Sequence, residues 1–446
     1  MPPSRHPAHA RPRGSRRSRR SASPQAGDNS GGSRPPSHRG SSSKYRRRRI
    51  LAGVLGVVVV IVLWLAISLG TALTDQSLGP SVMSRFAEWG RSNHIGFAVT
   101  WLEKEYYSIN TPATGGKPPP NAFKPGGKTT TTVATSSCPH ALPAPAPVTS
   151  PVQPPQPGEG QWQAAARESA GCPAIYETFV RPDTIHTSYV IGIAWMDPKL
   201  LSATLYSGSQ VPGGGPYSAT APVSPSAATT LAAAFNAGFR SEDSQGGYYT
   251  DGKIISPLRS GSASAVIYKD GVMTVGQWDR DVKMTPNVVG VRQNLDLIVD
   301  GSAPVPGLSS ADNIKWGATL GGSAYVWRSG LGVTSNGALV YVGGPGMSIT
   351  NLADLLVRAG AVRAMELDIN VAWVNYATYA PAPGQPASEA NGTPLLSSMS
   401  GGAGRYFASY WARDFFAMSA RYPANGTETP PTTTTSKPRP KTSSKR

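Results

Sequence analysis

Glu366 and Asp368 stand one residue apart in the segment AMELDINVAW, with Asn370 and Trp373 close behind. On a β-strand, period two places Val362, Ala364, Glu366, Asp368 and Asn370 on one face and Arg363, Met365, Leu367 and Ile369 on the other. Two carboxylates and an amide would then leave a strand end on the same side, adjacent members about 6–7 Å apart. Such a pair can serve as general acid, general base or nucleophile. The alternative is structural, with the acids paired to Arg363 or capping the following loop. Other chemistries are less well supported. His186 is the only histidine of the central region and no G-x-S-x-G motif accompanies it, so a Ser-His-Asp triad has little to rest on. Gly213-Gly214-Gly215 and Gly343-Gly344-Pro345-Gly346 lack the Lys-Ser/Thr of a P-loop, which argues against nucleotide binding. Cys138 and Cys172 form no Cys-x-x-Cys or Cys/His cluster, so a thiolate zinc site is excluded and no cofactor is expected.

The elements that must position the acids are well signalled. Ser348 or Thr350 can cap a helix in which Leu352, Leu355, Leu356 and Ala359 follow i, i+3, i+4, i+7, and Gly360 supplies its stop. The acid-bearing strand, Ala361–Ile369, follows at once. Asp251-Gly252, Asp270-Gly271, Asp300-Gly301 and Asn336-Gly337 each separate strand-prone runs, which suits tight hairpins. The fold class read from this pattern is α+β, with mixed, largely antiparallel sheets and a few packed helices behind a single transmembrane helix.

That helix is read from Leu51–Leu73, a run of 23 residues without a charge that would span roughly 34 Å as a helix. Arg46–Arg49 precede it, so the positive-inside rule predicts a cytoplasmic N-terminus and an extracytoplasmic remainder, anchored in the plasma membrane. A cleaved signal peptide is the alternative, although the run is long for one and about fifty residues precede it. The net charge of +17 follows the same division. Residues 1–50 carry 14 basic side chains against Asp28, residues 427–446 five against Glu428, and residues 51–426 hold 23 of each sign. A basic nucleic-acid groove in the folded part is thereby excluded. The expected organisation is a disordered basic tail (1–49), the membrane helix (50–73), an amphipathic juxtamembrane segment (74–110), a Pro/Thr/Gly-rich spacer (111–158), a folded domain (159–425) and a second disordered tail (426–446). Beyond the anchor, oxidising conditions would let Cys138 and Cys172 form a disulfide. The Asn391-Gly392-Thr393 and Asn425-Gly426-Thr427 sequons read more simply as chance matches. Oligomeric state is not legible.

Four segments, in order, resemble the phosphodiester glycosidase domain of the lysosomal uncovering enzyme family. Ala234-Phe235-Asn236-Ala237-Gly238-Phe239 is similar to its N-G-G-F-F motif, with Ala237 in place of a glycine. Asp300-Gly301 resembles the turn before its central region, and Arg328-Ser329-Gly330-Leu331-Gly332 its R-T-A-x-G. The 350–359 helix with Gly360-Ala361 and Leu367-Asp368 resembles its helix and N-L-D-G-G-G-S block. The similarity covers roughly residues 185–375, and segments such as VRQNLDLIVDG look like an actinobacterial, membrane-anchored branch. The resemblance implies hydrolysis of sugar 1-phosphodiesters, with a glycan or sugar phosphodiester as the partner. It implies Asp368 as the catalytic acid, with Glu366 available as proton donor, Arg328 as a bidentate phosphate grip, and Asn236 as a hydrogen-bond partner of the sugar. One departure is clear: the family's glycine run is Ile369-Asn370-Val371-Ala372 here. Either Asn370 and Trp373 are new walls of the site, Trp373 stacking on a sugar ring, or catalysis is lost and the domain only binds envelope glycan. Asp251, near Gly246-Gly247-Tyr248-Tyr249, is a further candidate from a loop, although it reads most simply as a turn residue.

Overall fold

The computed structural model describes residues 42–124, 138, 140–308, 316, 318, 324–409 and 411–422. The first part of the basic N-terminal tail, the Thr-rich run at 129–137, the Asn425 sequon and the C-terminal tail lie outside the described residues. Helix α1, Ser42–Thr74, contains a charge-free apolar stretch long enough to cross a membrane. Helices α2, Val82–Ser92, and α3, Gly96–Ile109, follow; Ser81 caps α2 through a capping box with Ser84.

The rest is mixed α+β with three antiparallel sheets. Eight strands form the largest, in the order Gln163–Ala165, Ile175–Val180, Ile191–Met196, Leu339–Met347, Val326–Thr334, Ala361–Asp368, Leu297–Asp300 and Ala303–Pro304. A five-stranded sheet runs Lys253–Ser256, Tyr248–Thr250, Val288–Gln293, Ala263–Tyr268 and Met273–Gln277. Another runs Gly392–Pro394, Tyr376–Tyr379, Leu231–Asn236, Phe415–Ala420 and Leu201–Tyr206. All four Gly-containing turns read from the sequence join paired strands; Asp251 and Gly252 both have positive φ, 50° and 73°, as a type I′ turn requires.

Both faces of the large sheet are covered, and the alternation of its strands shows it. Leu339, Tyr341 and Met365 enter one core with Phe235 and Phe416 of the third sheet. Val340, Val342 and Ala364 face the other way, against Leu352, Leu355 and Leu356 of the Ile349–Arg358 helix. That helix is capped by Ser348, whose hydroxyl accepts from Asn351 N at 3.1 Å, and Gly360 follows at φ 95°. It lies so close to the sheet that a Cβ on Gly330 would sit 2.9 Å from Leu356 Cδ1. The pleat therefore sets where the acid-bearing strand ends.

Between residues 140 and 158 the predicted spacer packs against the folded domain. Val148, Ser150 and Val152 are buried, and Val148 N donates to Gly160 O at 2.9 Å. Arg181, ion-paired with buried Glu159 at 2.9 Å, donates to the carbonyls of Val152 and Pro154, and Trp162 Nε1 donates to Ala146 O at 2.7 Å. A proline-rich chain lacks N–H groups for a ladder but keeps its carbonyls, and side-chain donors of the domain capture them. Cys138 and Cys172 are joined as a disulfide, Cα–Cα 5.9 Å, which ties this segment to the domain.

Candidate functional site

Asp368 is the last residue of its strand, and Asn236 the last of Leu231–Asn236 in the third sheet. The two ends meet through Ser329, the cross-strand partner of Asp368. Asn236 Nδ2 donates to Ser329 Oγ at 3.1 Å, and Ser329 Oγ accepts from Asp368 N at 3.2 Å. Asn236 Oδ1 accepts from Tyr341 Oη at 3.0 Å and from Asn375 N at 3.2 Å. Asn236 is thus a positioned bridge between sheets whose amide is engaged by protein groups.

The Asp368 carboxylate, 3% exposed, accepts from Ile369 N at 2.8 Å and Asn370 N at 3.0 Å. Burial raises its pKa to about 6, against the lowering influence of Arg413 and these two backbone donors. At neutral pH it is mostly ionised. The loop after it needs no glycine: none of residues 369–372 has a positive φ. Asn370 closes the turn instead, its Oδ1 accepting from Ala372 N at 2.8 Å, while Ile369 packs with Phe239 and Val326. The loss of the family's glycine run therefore leaves the Asp368 backbone well supported.

Glu366 has a different environment. Strand pairing is irregular between Asp368 and Glu366, so the strict alternation that would aim both acids together is interrupted there. Glu366 is fully buried and its Oε1 accepts from Arg328 Nη1 at 2.5 Å. Burial pushes its pKa up to about 7 against the pull of Arg328. Its Oε2 has no hydrogen-bond partner.

Arg328 does not fit the phosphate grip expected of it. It is fully buried and donates to Met347 O, Trp316 O, Ala324 O and Glu366, four bonds for a group with five N–H donors. Its place early in the Val326–Thr334 strand makes it a core cation that ties Glu366 to the strand end at Met347 and to the carbonyls of Trp316 and Ala324. Asp251 is also corrected: it sits in the Tyr248–Ser256 hairpin turn, and its carboxylate accepts from Ser218 N at 2.7 Å and Ser218 Oγ at 2.5 Å. The acid whose charge reaches Asp368 is Asp243, in the short helical turn Ser241–Ser244. His186 is a packing residue, its Nδ1 3.0 Å from Asp183 Oδ2 and its ring against Tyr325.

Trp373 does line a cleft, of about 110 Å³, but its ring is 3% exposed and covered. Arg413 lies 4.4 Å over the ring and Trp411 5.2 Å away. This leaves little ring face for a sugar. Arg240, Ser241 and Arg413 line the same cleft, as do Glu88 and Ser92 of α2. Sequence reasoning missed Arg413, Arg405 and Asn375. Arg405 donates to the carbonyls of Ala372 and Trp373, fixing the loop after Asp368. All three lie downstream of the acids, in stretches with no motif of their own; only the tertiary fold brings them back.

A family model described as phosphodiester glycosidase matches residues 229–368. No curated protein matches the sequence. Among solved structures, the catalytic domain of zebrafish N-acetylglucosamine-1-phosphodiester alpha-N-acetylglucosaminidase, auto-inhibited by its pro-peptide, is 16% identical, covering 58% of this chain and 88% of that one at TM-score 0.37. A Synechocystis protein is 13% identical, covering 56% of this chain and 63% of its own at TM-score 0.29. A Burkholderia pseudomallei protein described as exported is 13% identical, covering 52% and 74% at TM-score 0.27. The matched span opens just before the strand that ends in Asn236 and closes on Asp368 itself, so the similarity to the phosphodiester glycosidase family covers residues 229–368, less than half of the chain.

Proposed function

We propose that the chain is a membrane-anchored hydrolase of sugar 1-phosphodiesters in the cell envelope, with Asp368 as its working carboxylate. The observation that carries this reading is Asp368 itself, held by two backbone donors at a strand end within the matched span. An ionised carboxylate in that position can attack the anomeric carbon or stabilise an oxocarbenium-like transition state. The leaving group, a phosphate monoester, is a weak base and departs with little protonation. A locked Glu366 is compatible with that chemistry, its role being to neutralise buried Arg328. Asn236, through Ser329, and Arg405, through the carbonyls of Ala372 and Trp373, position Asp368 and the loop after it.

Anchoring is inferred from α1, and orientation from Arg46–Arg49 ahead of its apolar stretch; both support a domain outside the cytoplasm. A second reading, a glycan-binding domain without turnover, is favoured by the burial of Asp368, 3% exposed. The full chain in detergent micelles, given an N-acetylglucosamine-1-phosphodiester, separates the two. Release of free sugar supports hydrolysis, whereas saturable binding of the intact diester without release supports the binding domain.

A further inference from the structure

With Arg328 occupied, a phosphodiester needs another cationic partner, and the cleft lined by Trp373 contains two arginines. Arg240 follows the Asn236 strand and Arg413 precedes Phe415–Ala420; both are largely buried, and both reach a single carboxylate, Glu88 of α2. Arg240 Nη1 lies 3.1 Å from Glu88 Oε2 and Arg413 Nη2 3.0 Å from Oε1. One guanidinium on each oxygen is also how two arginines hold the two non-bridging oxygens of a phosphodiester.

The site has capacity left over. Arg413 Nη1 and Ser241 Oγ are buried, line the cleft and have no hydrogen-bond partner. Arg413 is held in place by the Trp373 ring beneath it, and it is the cation with the largest influence on Asp368. Other charges at the site are Asp243, on the Nε edge of Arg240 at 3.2 Å, exposed Glu242 at 3.7 Å from the same guanidinium, and Arg91, 4.0 Å from Glu88. Burial acts against the Glu88 carboxylate, but Arg413, Arg240 and Arg91 outweigh it and hold its pKa below the usual value. Tyr107 of α3 packs against Phe239, Val326 and Ile369, so the helical pair covers the end of the sheet where Asp368 lies.

We propose that Arg240, Arg413 and Ser241 form the phosphate-binding site, and that Glu88 fills it as a carboxylate stand-in, making α2 and α3 a lid that a phosphodiester must displace. The substrate class rests on the proposed function above; the anion site does not. An intramolecular competitor acts at a high effective concentration, so the wild type binds free anions weakly.

Inorganic phosphate titrated calorimetrically into the full chain in micelles tests this. Glu88→Gln is expected to bind phosphate at least ~10-fold more tightly than wild type, and Arg413→Gln added to it should abolish the gain. Equal affinity of wild type and Glu88→Gln, or a gain that survives Arg413→Gln, overturns the proposal. Should Glu88→Gln fail to fold by circular dichroism, wild type alone decides: phosphate must speed tryptic cleavage within α2 and α3 beyond sodium chloride of equal ionic strength, and no acceleration overturns it. If phosphate behaves as expected but no variant releases sugar from a phosphodiester, the anion site stands and the hydrolase reading falls.

Discussion

Asp368 and Glu366 show how little sequence spacing says about side-chain role. Both are buried, yet one carboxylate is held by backbone N–H groups at a strand end and the other by a guanidinium in the core. The raised pKa of Asp368 fixes the sign of its pH dependence. Below about pH 3 it is protonated in both folded and unfolded chains; above about pH 6 the folded chain carries a buried charge that the unfolded chain carries in water. Asp368→Asn should therefore be more stable than wild type by about 2–3 kcal/mol at pH 8, with the difference vanishing at about pH 3, in paired urea titrations. The same ionisation should give turnover an acid limb centred near pH 6. Glu366→Ala leaves Arg328 buried and unpaired, and should cost about 3–5 kcal/mol by denaturant titration. At this scale the strand-end position of Asp368 was legible from the period-two pattern. The role of Arg328 was not, because residue type reveals a guanidinium's chemistry but not whether its donors are already engaged.

Elements were more legible than residues. Periodicity and capping predicted the Ile349–Arg358 helix and the strand after it to within one or two residues, and the Asp-Gly and Asn-Gly turns join paired strands. Local signals sufficed because helix caps and tight turns are decided by neighbours in sequence. The 140–158 stretch failed that logic: its composition excludes a core of its own, but its carbonyls are bound by Arg181 and Trp162, which no local pattern announces. α2 is a similar case, since its apolar residues suggested a membrane surface while buried Glu88 makes its contacts with the domain. The disulfide closes a loop of 34 residues, and replacing both cysteines by serine should lower stability by roughly 3–4 kcal/mol, read as a drop in melting temperature. Were the segment a free spacer, the double variant would melt with wild type.

At the scale of the whole molecule, the charge of +17 belongs to the tails and the region around α1, leaving residues 51–426 balanced. The proposed phosphodiester would therefore be held by local guanidinium groups and not by a general field, and turnover should depend weakly on salt above physiological ionic strength. The proposed anchor predicts that the full chain stays with membranes after alkaline carbonate washing and that external protease reaches the domain in intact cells; release by carbonate would contradict anchoring. The claim on which the rest depends is hydrolysis by Asp368. Its most direct measurement is release of N-acetylglucosamine from its methyl 1-phosphodiester by the full chain in micelles at pH 7, wild type beside Asp368→Asn. The account predicts steady release by wild type and a loss of about 10²–10⁴-fold in the folded variant. No release by wild type, or equal rates for the two, would contradict it.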